Sequence, residues 1–297
     1  MIAAPYGGHE LTLLQPVPSG RDARVSAIRE LVQEWPLRAF SGVLLALVAL
    51  ATDFAGTFFL TAFVGLIAFG AAREWHRMTS GPAYVLESLV TGGAIAAALA
   101  VLVCTAQPVW AAGVLAGGAL AASGAAYRNG NSPLWNGLGA FYIGVAALCL
   151  AGLRATHGPW VIIGLFITIW TADTGALVLG RFVGGPRLAP SVSPNKTWSG
   201  ILGGIAAPAV CLSVYIFLLH GNGWAAAPVA AALALAAHAG DLFESWVKRR
   251  MGVKNSGGLI PGHGGVLDRI DSALFAVPLA AALVFVFGVD FLFGASP

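Results

Sequence analysis

Long apolar segments follow one another along most of this chain, separated by short polar connections. The hydrocarbon core of a bilayer is about 30 Å thick, and a helix of roughly 20 apolar residues crosses it. The chain is 58% hydrophobic and only 10% charged, whereas soluble domains carry about 25% charged residues. A soluble fold of 297 residues could not bury this much apolar surface. We therefore predict an all-α polytopic integral membrane protein.

The apolar segments predict about nine transmembrane helices of roughly 20 residues each. Their predicted bounds are 37–53, 55–72, 86–105, 108–126, 134–153, 159–180, 199–219, 224–244 and 272–294. Residues 37–297 then form one transmembrane domain, and residues 1–36 form an N-terminal tail in which no secretory signal peptide is expected. Within the tail, the pattern over 21–33 predicts a short helix that either is solvated or lies on the membrane surface.

The basic residues predict the orientation of these helices. Membrane proteins keep most Lys and Arg of their short loops on the cytoplasmic side. With the N-terminus in the cytoplasm, every Lys and Arg of the chain except Arg154 falls on that side. The net charge of +3 is therefore interpreted as an orientation signal, and no nucleic-acid partner is expected.

One polar stretch, Gly240–Ser272, stands out in this apolar chain. It contains the acids Asp241, Glu244, Asp268 and Asp271, the bases Lys248, Arg249, Arg250, Lys254 and Arg269, and the glycine-rich segments 256–258 and 262–265. Carboxylates hold divalent cations, Lys and Arg hold phosphate, and glycines let the backbone approach a ligand closely. The stretch therefore has the parts of a phosphoryl-transfer site.

The predicted eighth helix carries the first of these charges on one face. Asp241, Glu244, Ser245 and Lys248 stand at positions i, i+3, i+4 and i+7, which lie on the same side of a helix. On a soluble protein such a stripe would usually be a solvated face. Because this helix otherwise suits lipid, we favour a functional face.

A glycine-rich loop over 254–267 follows this helix. Its backbone amides, including that of Gly264, are expected to wrap a phosphate. His263 in the same loop either positions or protonates a group or is structural, and the sequence leaves these alternatives open.

The predicted ninth helix begins with further acids. Asp268 and Asp271 are three residues apart and share a face, and Arg269 projects elsewhere, towards a phosphate. With Asp241 from the preceding helix, these acids form a plausible set of oxygen ligands for Mg²⁺.

Asp173 lies inside the predicted sixth helix, about 10 Å from its cytoplasmic end at 1.5 Å per residue. A carboxylate at that depth is costly unless it is paired or lines a wet cavity, so a functional role is the default interpretation. The alternative is a structural acid bonded to Thr171, Thr174 or a neighbouring helix. Asp53, by contrast, falls in a predicted external turn and is interpreted as a solvated loop carboxylate.

The loop over 184–200 precedes the predicted seventh helix. It offers hydroxyl, amide and ammonium donors from Ser191, Ser193, Asn195, Lys196 and Thr197. Donors gathered at a helix N-terminus favour an anion, because the unpaired N–H groups and the helix dipole both attract negative charge. The glycines of a Walker A motif are absent before the lysine. By itself the composition also suits an ordinary turn.

Three segments together resemble the phosphatidate cytidylyltransferase (CDP-diacylglycerol synthase) family. The string SWVKRRMGVKNSGGLIPGHGGVLDRID resembles the family signature, and TADTGA and LAPSVSPNKTWSG are similar to its two other characteristic stretches. They occur in the same order within roughly residues 165–280. One position departs from the pattern, because Asn255 stands where the family usually has Asp, and no metal role is assigned to it.

The resemblance implies an inner-membrane enzyme, usually a homodimer, whose active site faces the cytoplasm. Such an enzyme converts CTP and the membrane lipid phosphatidic acid to CDP-diacylglycerol and pyrophosphate. It uses Mg²⁺, and a second, monovalent cation such as K⁺ is also implied.

On this resemblance we assign roles to the candidate residues. Asp173, Asp241, Asp268 and Asp271 are predicted to bind metal, and the catalytic set is Asp241, Asp268, Asp271 and Lys248. Substrate binding is predicted for Ser193, Asn195, Lys196, Arg249, Lys254, His263, Gly264 and Arg269.

Two other functions remain open from the sequence. A CTP-dependent lipid (polyprenol) kinase would also combine CTP, Mg²⁺ and a polytopic fold, but it would release CDP. An ion-coupled transporter could also bury Asp173, Asp241 and Glu244 in its helices. It has no evident need for a glycine-rich loop beside clustered bases.

Overall fold

A computed structural model describes residues 42–81, 84–220, 223–259 and 264–288. The predicted N-terminal tail, its helix over 21–33, and His263 lie outside the described residues. So does the end of the predicted ninth helix.

The described residues form a helical bundle with one small hairpin. The helices are α1 (Gly42–Ala55), α2 (Thr57–Ser80), α3 (Val85–Thr105), α4 (Pro108–Arg128), α5 (Pro133–His157), α6 (Pro159–Phe182), α7 (Trp198–His220), α8 (Ala226–Arg250), α9 (Leu267–Ile270) and α10 (Ala273–Phe285). Strands β1 (Arg187–Ala189) and β2 (Ser193–Thr197) pair antiparallel between α6 and α7.

The predicted fold class is confirmed. Within the described residues, seven helices, α2 to α8, are long enough and apolar enough to cross a membrane. Helices α1 and α10 are shorter and also apolar. Each of these elements overlaps one predicted span. The number of crossings and the side of the N-terminus stay predictions.

Two helices run at least six residues beyond the ends of the predicted spans. Helix α2 continues to Ser80 rather than ending at 72, and α8 continues to Arg250 rather than ending at 244. Hydropathy marks only the apolar part of a helix, whereas its hydrogen bonds continue into the polar membrane surface. The extension of α2 places Glu74 and Trp75 inside the bundle, where both are buried.

Two groups of helices meet at an aromatic cluster. Helices α2 to α5 pack on one another, α6 to α8 form a second group, and α10 lies against both α5 and α8. The rings at the junction come from α2, α5, α8 and α10: Trp75, Trp135, Tyr142, Phe243, Trp246 and Phe275. Aromatic pairs at these distances stabilise packing beyond the area they bury.

Glycines let α6 and α7 cross almost backbone to backbone. A Cβ added to Gly175 would collide with the carbonyl oxygen of Gly203, and a Cβ on Gly203 would collide with that of Gly175. Because lipid gives helices no hydrophobic reason to associate, close contact of this kind is a main source of their packing energy. The crossing brings Asp173 of α6 near the hairpin that precedes α7.

The interpretation of Asp53 as a solvated loop residue is wrong. Asp53 lies inside α1, is fully buried, and its carboxylate stands 2.6 Å from Nε of Arg154 at the end of α5. Arg154 also donates to the Asp53 backbone carbonyl at 2.8 Å. The one base predicted on the outer side thus neutralises the acid predicted there. A buried charge in lipid needs such a partner.

Substitution at the α6–α7 crossing should be far more damaging than substitution at an open glycine. We expect Gly203→Leu to lower the free energy of unfolding by about 1–3 kcal/mol, because the added side chain overpacks the contact. Gly93→Leu on α3 is the matched control, since a Cβ there meets nothing within 4 Å. Thermal unfolding in detergent measures both. Equal melting temperatures for the two variants would contradict the close crossing.

Candidate active site

A cavity of about 670 Å³ with many charged side chains in its lining lies among α6, α7, α8, the hairpin and the segment around α9. Its lining includes the predicted site residues Asp173, Asn195, Lys196, Asp241, Asp268, Arg269 and Asp271. These side chains come from all three sequence segments singled out above. The structure therefore brings the predicted acids and bases into one place, and their chemical roles remain predictions.

The hairpin places Lys196 over the cavity. Strand β2 pairs with β1 through Arg187 opposite Thr197, and the Thr197 hydroxyl accepts the Gly200 N–H at 3.1 Å in the first turn of α7. Local pairing and capping thus hold the strand that carries Lys196. The Lys196 ammonium stands 2.6 Å from an Asp241 carboxylate oxygen on α8.

Three carboxylates share the inner part of the cavity. Asp173 accepts the Ser272 hydroxyl at 3.3 Å, Asp241 accepts the Ser245 hydroxyl at 3.4 Å, and Asp271 accepts the Ser272 N–H at 2.7 Å. Burial, and then the nearby charges of Asp241 and Glu244, raise the pKa of Asp271 well above its usual value. Carboxylates that repel one another in this way favour a bound cation or proton.

Asp268 has a different environment from the other three acids. One of its oxygens accepts the Lys248 ammonium at 2.6 Å. The other accepts the Ser256 N–H at 3.2 Å, the Ser256 hydroxyl at 2.8 Å and the Gly265 N–H at 3.0 Å. Burial acts to raise the pKa of Asp268, but these donors and the Lys248 charge outweigh it, so the pKa lies below its usual value.

The other predicted catalytic and substrate-binding residues that the structure describes are absent from the cavity lining. Lys248 is bonded to Glu244 and Asp268, each at 2.6 Å. Arg249 is exposed and donates to the Val192 carbonyl on the hairpin at 3.4 Å. The further members Ser193, Lys254 and Gly264 are also absent from the described lining.

The glycine-rich loop is engaged by the protein's own carboxylates. Gly265 N–H, in the segment predicted to wrap a phosphate, donates to Asp268. Gly264 has a φ of +83°, in the left-handed region that favours glycine. In the described part of this loop, the Gly265 and Leu267 amides thus donate to the carboxylates of Asp268 and Glu74, and binding of a phosphate by the loop stays a prediction.

Two residues near the site were missed by sequence reasoning. His238 is one turn before Asp241 on α8, is 5% exposed, and lines the cavity. Glu74 on α2 is buried and accepts the Leu267 N–H at 2.9 Å. Both are polar residues in apolar helices, which was the available signal. His238 shares the helix face of Asp241 by its i, i+3 spacing.

The donor set suits a hard cation in its chemistry. Across the residues that the structure describes, no three His, Cys, Asp or Glu side chains lie close enough together to hold a metal ion. Asp173, Asp241 and Asp271 nevertheless line the same cavity, and oxygen donors are the ligands that Mg²⁺ prefers. Their mutual repulsion is the physical reason why a cation would be stabilised there.

Comparison with known proteins identifies the family. The model of the cytidylyltransferase family matches residues 36–287. The chain is 47% identical over 160 residues to a phosphatidate cytidylyltransferase of Brucella suis, covering 53% of this chain and 58% of that protein. It is 41% identical over 145 residues to one of Staphylococcus epidermidis, covering 48% of this chain and 55% of that protein.

The chain belongs to the cytidylyltransferase family, which confirms the resemblance drawn from the three segments. The alignments span 58% and 55% of the length of these relatives. The names of the relatives therefore suggest an activity for this chain but do not establish it.

Acidification should expose the role of the Asp268 contacts. Because the folded-state pKa of Asp268 is lowered, its contribution to stability is complete above its unfolded pKa of about 3.9 and is lost as pH falls through the folded value. We expect Asp268→Asn to be less stable than wild type at neutral pH, and to lose less of its stability between about pH 5 and 3.

Melting temperatures in detergent across this pH range measure the effect. Asp173→Asn is the control, since Asp173 accepts from Ser272 and has no described contact with Lys248. An Asp268→Asn variant whose melting temperature falls as steeply with acid as wild type would contradict the assignment.

Proposed function

We propose that this chain is a phosphatidate cytidylyltransferase, converting CTP and phosphatidic acid to CDP-diacylglycerol and pyrophosphate in phospholipid biosynthesis. The observation that carries the proposal is the shared cavity in which Lys196 meets Asp173, Asp241 and Asp271. Family membership and the names of the relatives support the same reaction. Lipid solubility of the acceptor agrees with a site built at the ends of apolar helices.

The reaction does not require a protein nucleophile. A phosphate monoester has a second pKa of about 6, so the lipid phosphate is largely dianionic at neutral pH. One of its oxygens forms a bond to the α-phosphorus of CTP, and the bond from that phosphorus to the bridging oxygen of the β-phosphate breaks. Pyrophosphate leaves with the electron pair. The task of the protein is to bring two polyanions together and offset their charge.

Asp173, Asp241 and Asp271 would hold Mg²⁺ in this proposal. The ion, when bound, supplies positive charge that offsets the triphosphate and the departing pyrophosphate. A second, monovalent cation such as K⁺ remains part of the proposal on the family resemblance. The three carboxylates would form the cation-binding part of the site. Ser272 donates hydrogen bonds to two of them, Asp173 and Asp271.

Lys196 is suited to bind phosphate from the opposite wall. Its ammonium is already inside the cavity, in contact with Asp241, and it can exchange that carboxylate for a phosphate oxygen when substrate enters. Arg269 and Asn195 line the same cavity and are the neighbouring candidates. Lys248 has a different role in the proposal: bonded to Glu244 and Asp268, it holds Asp268 in place.

The proposal places the cavity at the cytoplasmic side of a bacterial inner membrane. Bases follow the C-terminal ends of α2, α4, α6 and α8, which favours that side for the end where the cavity opens. CTP arrives there from water, and the lipid phosphate is anchored at the same surface. A homodimer is proposed on the family resemblance alone.

The decisive test follows the α-phosphate and the γ-phosphate of CTP separately. Purified protein is incubated with Mg²⁺, with CTP labelled at either the α- or the γ-phosphate, and with either phosphatidic acid or a polyprenol. A cytidylyltransferase transfers the α-label to lipid and releases the γ-label as pyrophosphate. Transfer of the γ-label to a polyprenol would instead establish the kinase. Absence of any transfer, with labelled ion uptake into vesicles, would establish the transporter.

Substitution in the cavity should abolish turnover without unfolding the protein. We expect Asp241→Asn and Lys196→Ala each to lower kcat/KM by about 10²–10³, since each removes a charge that acts on the phosphates or their counter-ion. Arg250→Ala is the matched control, because Arg250 stacks on Trp246 outside the cavity lining. Melting temperature is measured alongside. Near-normal turnover in Asp241→Asn would remove this residue from the site.

A further inference from the structure

Glu74 of α2 contacts the glycine-rich loop on the side away from the cavity. Its side chain is buried, with 1% of the residue exposed. One carboxylate oxygen accepts the Leu267 N–H at 2.9 Å and lies within hydrogen-bond distance, 3.1 Å, of the Ser256 hydroxyl oxygen. A Cβ on Gly257 or Gly265 would collide with this carboxylate, so both glycines let the loop close over it. Glu74 thus bonds to both sides of the loop.

The contact continues from Glu74 to the cavity wall. The Ser256 hydroxyl that lies near Glu74 also lies 2.8 Å from Asp268, and Asp268 accepts Lys248 at 2.6 Å. Asp268 and Lys248 therefore connect to α2 through one serine. The Leu267 N–H adds a second connection, because Leu267 immediately precedes Asp268 in the chain.

Burying the Glu74 carboxylate beside the loop costs more free energy than burying an apolar side chain of similar size. Its second oxygen, Oε1, has no hydrogen-bond partner among the described residues, and burying an unpartnered polar atom destabilises the folded state. One turn earlier on α2, a Cβ added to Gly70 would lie in van der Waals contact with the Val266 side chain of the same segment. An apolar side chain at 74 would lose both hydrogen bonds to the loop. The polar group is needed to hold backbone and hydroxyl at defined positions.

We propose that Glu74 is a positioning residue for the cytidylyl-transfer reaction, acting through Ser256 and the Leu267 amide to fix Asp268 and the chain that leads to Asp271. The inference rests on the proposed function. It adds a residue from the N-terminal helices, outside the three segments that resemble the family, to the machinery of the site.

Kinetics of two buried acids test the proposal. Glu74→Ala should lower kcat by about 10–100-fold, the usual effect of losing a residue that orients a functional carboxylate, with KM for CTP changed by less than about threefold. Glu74→Gln should stay within about fivefold of wild type, because its amide oxygen can accept the Leu267 N–H.

Glu87→Ala is the matched control. Glu87 is also fully buried in the N-terminal helices, but it accepts the side-chain amides of Asn129 and Asn131 at 3.0 and 2.9 Å. We expect Glu87→Ala to lower the melting temperature while leaving kcat within about twofold of wild type. Equal loss of kcat in Glu87→Ala and Glu74→Ala, or wild-type kcat in Glu74→Ala, would overturn the proposal.

A double-mutant cycle with Ser256→Ala tests the route. If Glu74 acts through Ser256, the loss of kcat on Glu74→Ala becomes smaller in the Ser256→Ala background, whereas strictly additive losses would exclude this route.

Amide hydrogen exchange without substrate separates this inference from the proposed function. Glu74→Ala should speed exchange at Leu267 and the adjoining described segment by at least about tenfold relative to Glu87→Ala. If wild-type protein transfers no cytidylyl group, the proposed function fails, and exchange alone still decides whether Glu74 holds the loop. Unchanged exchange in Glu74→Ala would overturn the positioning role whatever the activity.

Discussion

The ion pair between Lys196 and Asp241 is the contact on which the arrangement of the cavity depends. It joins the hairpin between α6 and α7 to the start of the α8 charged face, at 2.6 Å. Near lipid, an acid of this kind is stable only if a positive charge compensates it. The same need explains why the hairpin lies over the cavity.

Compensation of buried acids recurs through the bundle. Asp53 pairs with Arg154, and Lys248 pairs with both Glu244 and Asp268. The pairs of Asp53 and of Asp268 join different helices, whereas the pair of Glu244 lies within α8. Ion pairs therefore help to determine how these helices are arranged, because packing one apolar face on another gives little free energy of association in lipid. Close glycine contacts such as Gly175 with Gly203 supply the remaining specificity.

The site could be located from the sequence more securely than its internal roles. Asp173 was chosen because a carboxylate inside an apolar helix is costly. Lys196 was chosen as a donor in the loop before the predicted seventh helix, and the structure brings both to one cavity with Asp241 and Asp271. The catalytic role of Lys248 stays a prediction, and only the structure shows that its ammonium is bonded to two carboxylates. A one-dimensional pattern shows which charges are present, but the partner of each charge depends on helix packing. The error on Asp53 has the same origin.

The sequence alone determined the class of fold, the family segments and the face of α8 that carries the charges. These follow from hydropathy and from the period of the α-helix, which are local properties. The tertiary structure decided that Glu74 reaches Asp268 through Ser256, that Lys196 meets Asp241, and that Asp268 differs from the other acids. Those pairings join positions far apart in the chain. They depend on how the helices cross, and the local sequence pattern does not determine that geometry.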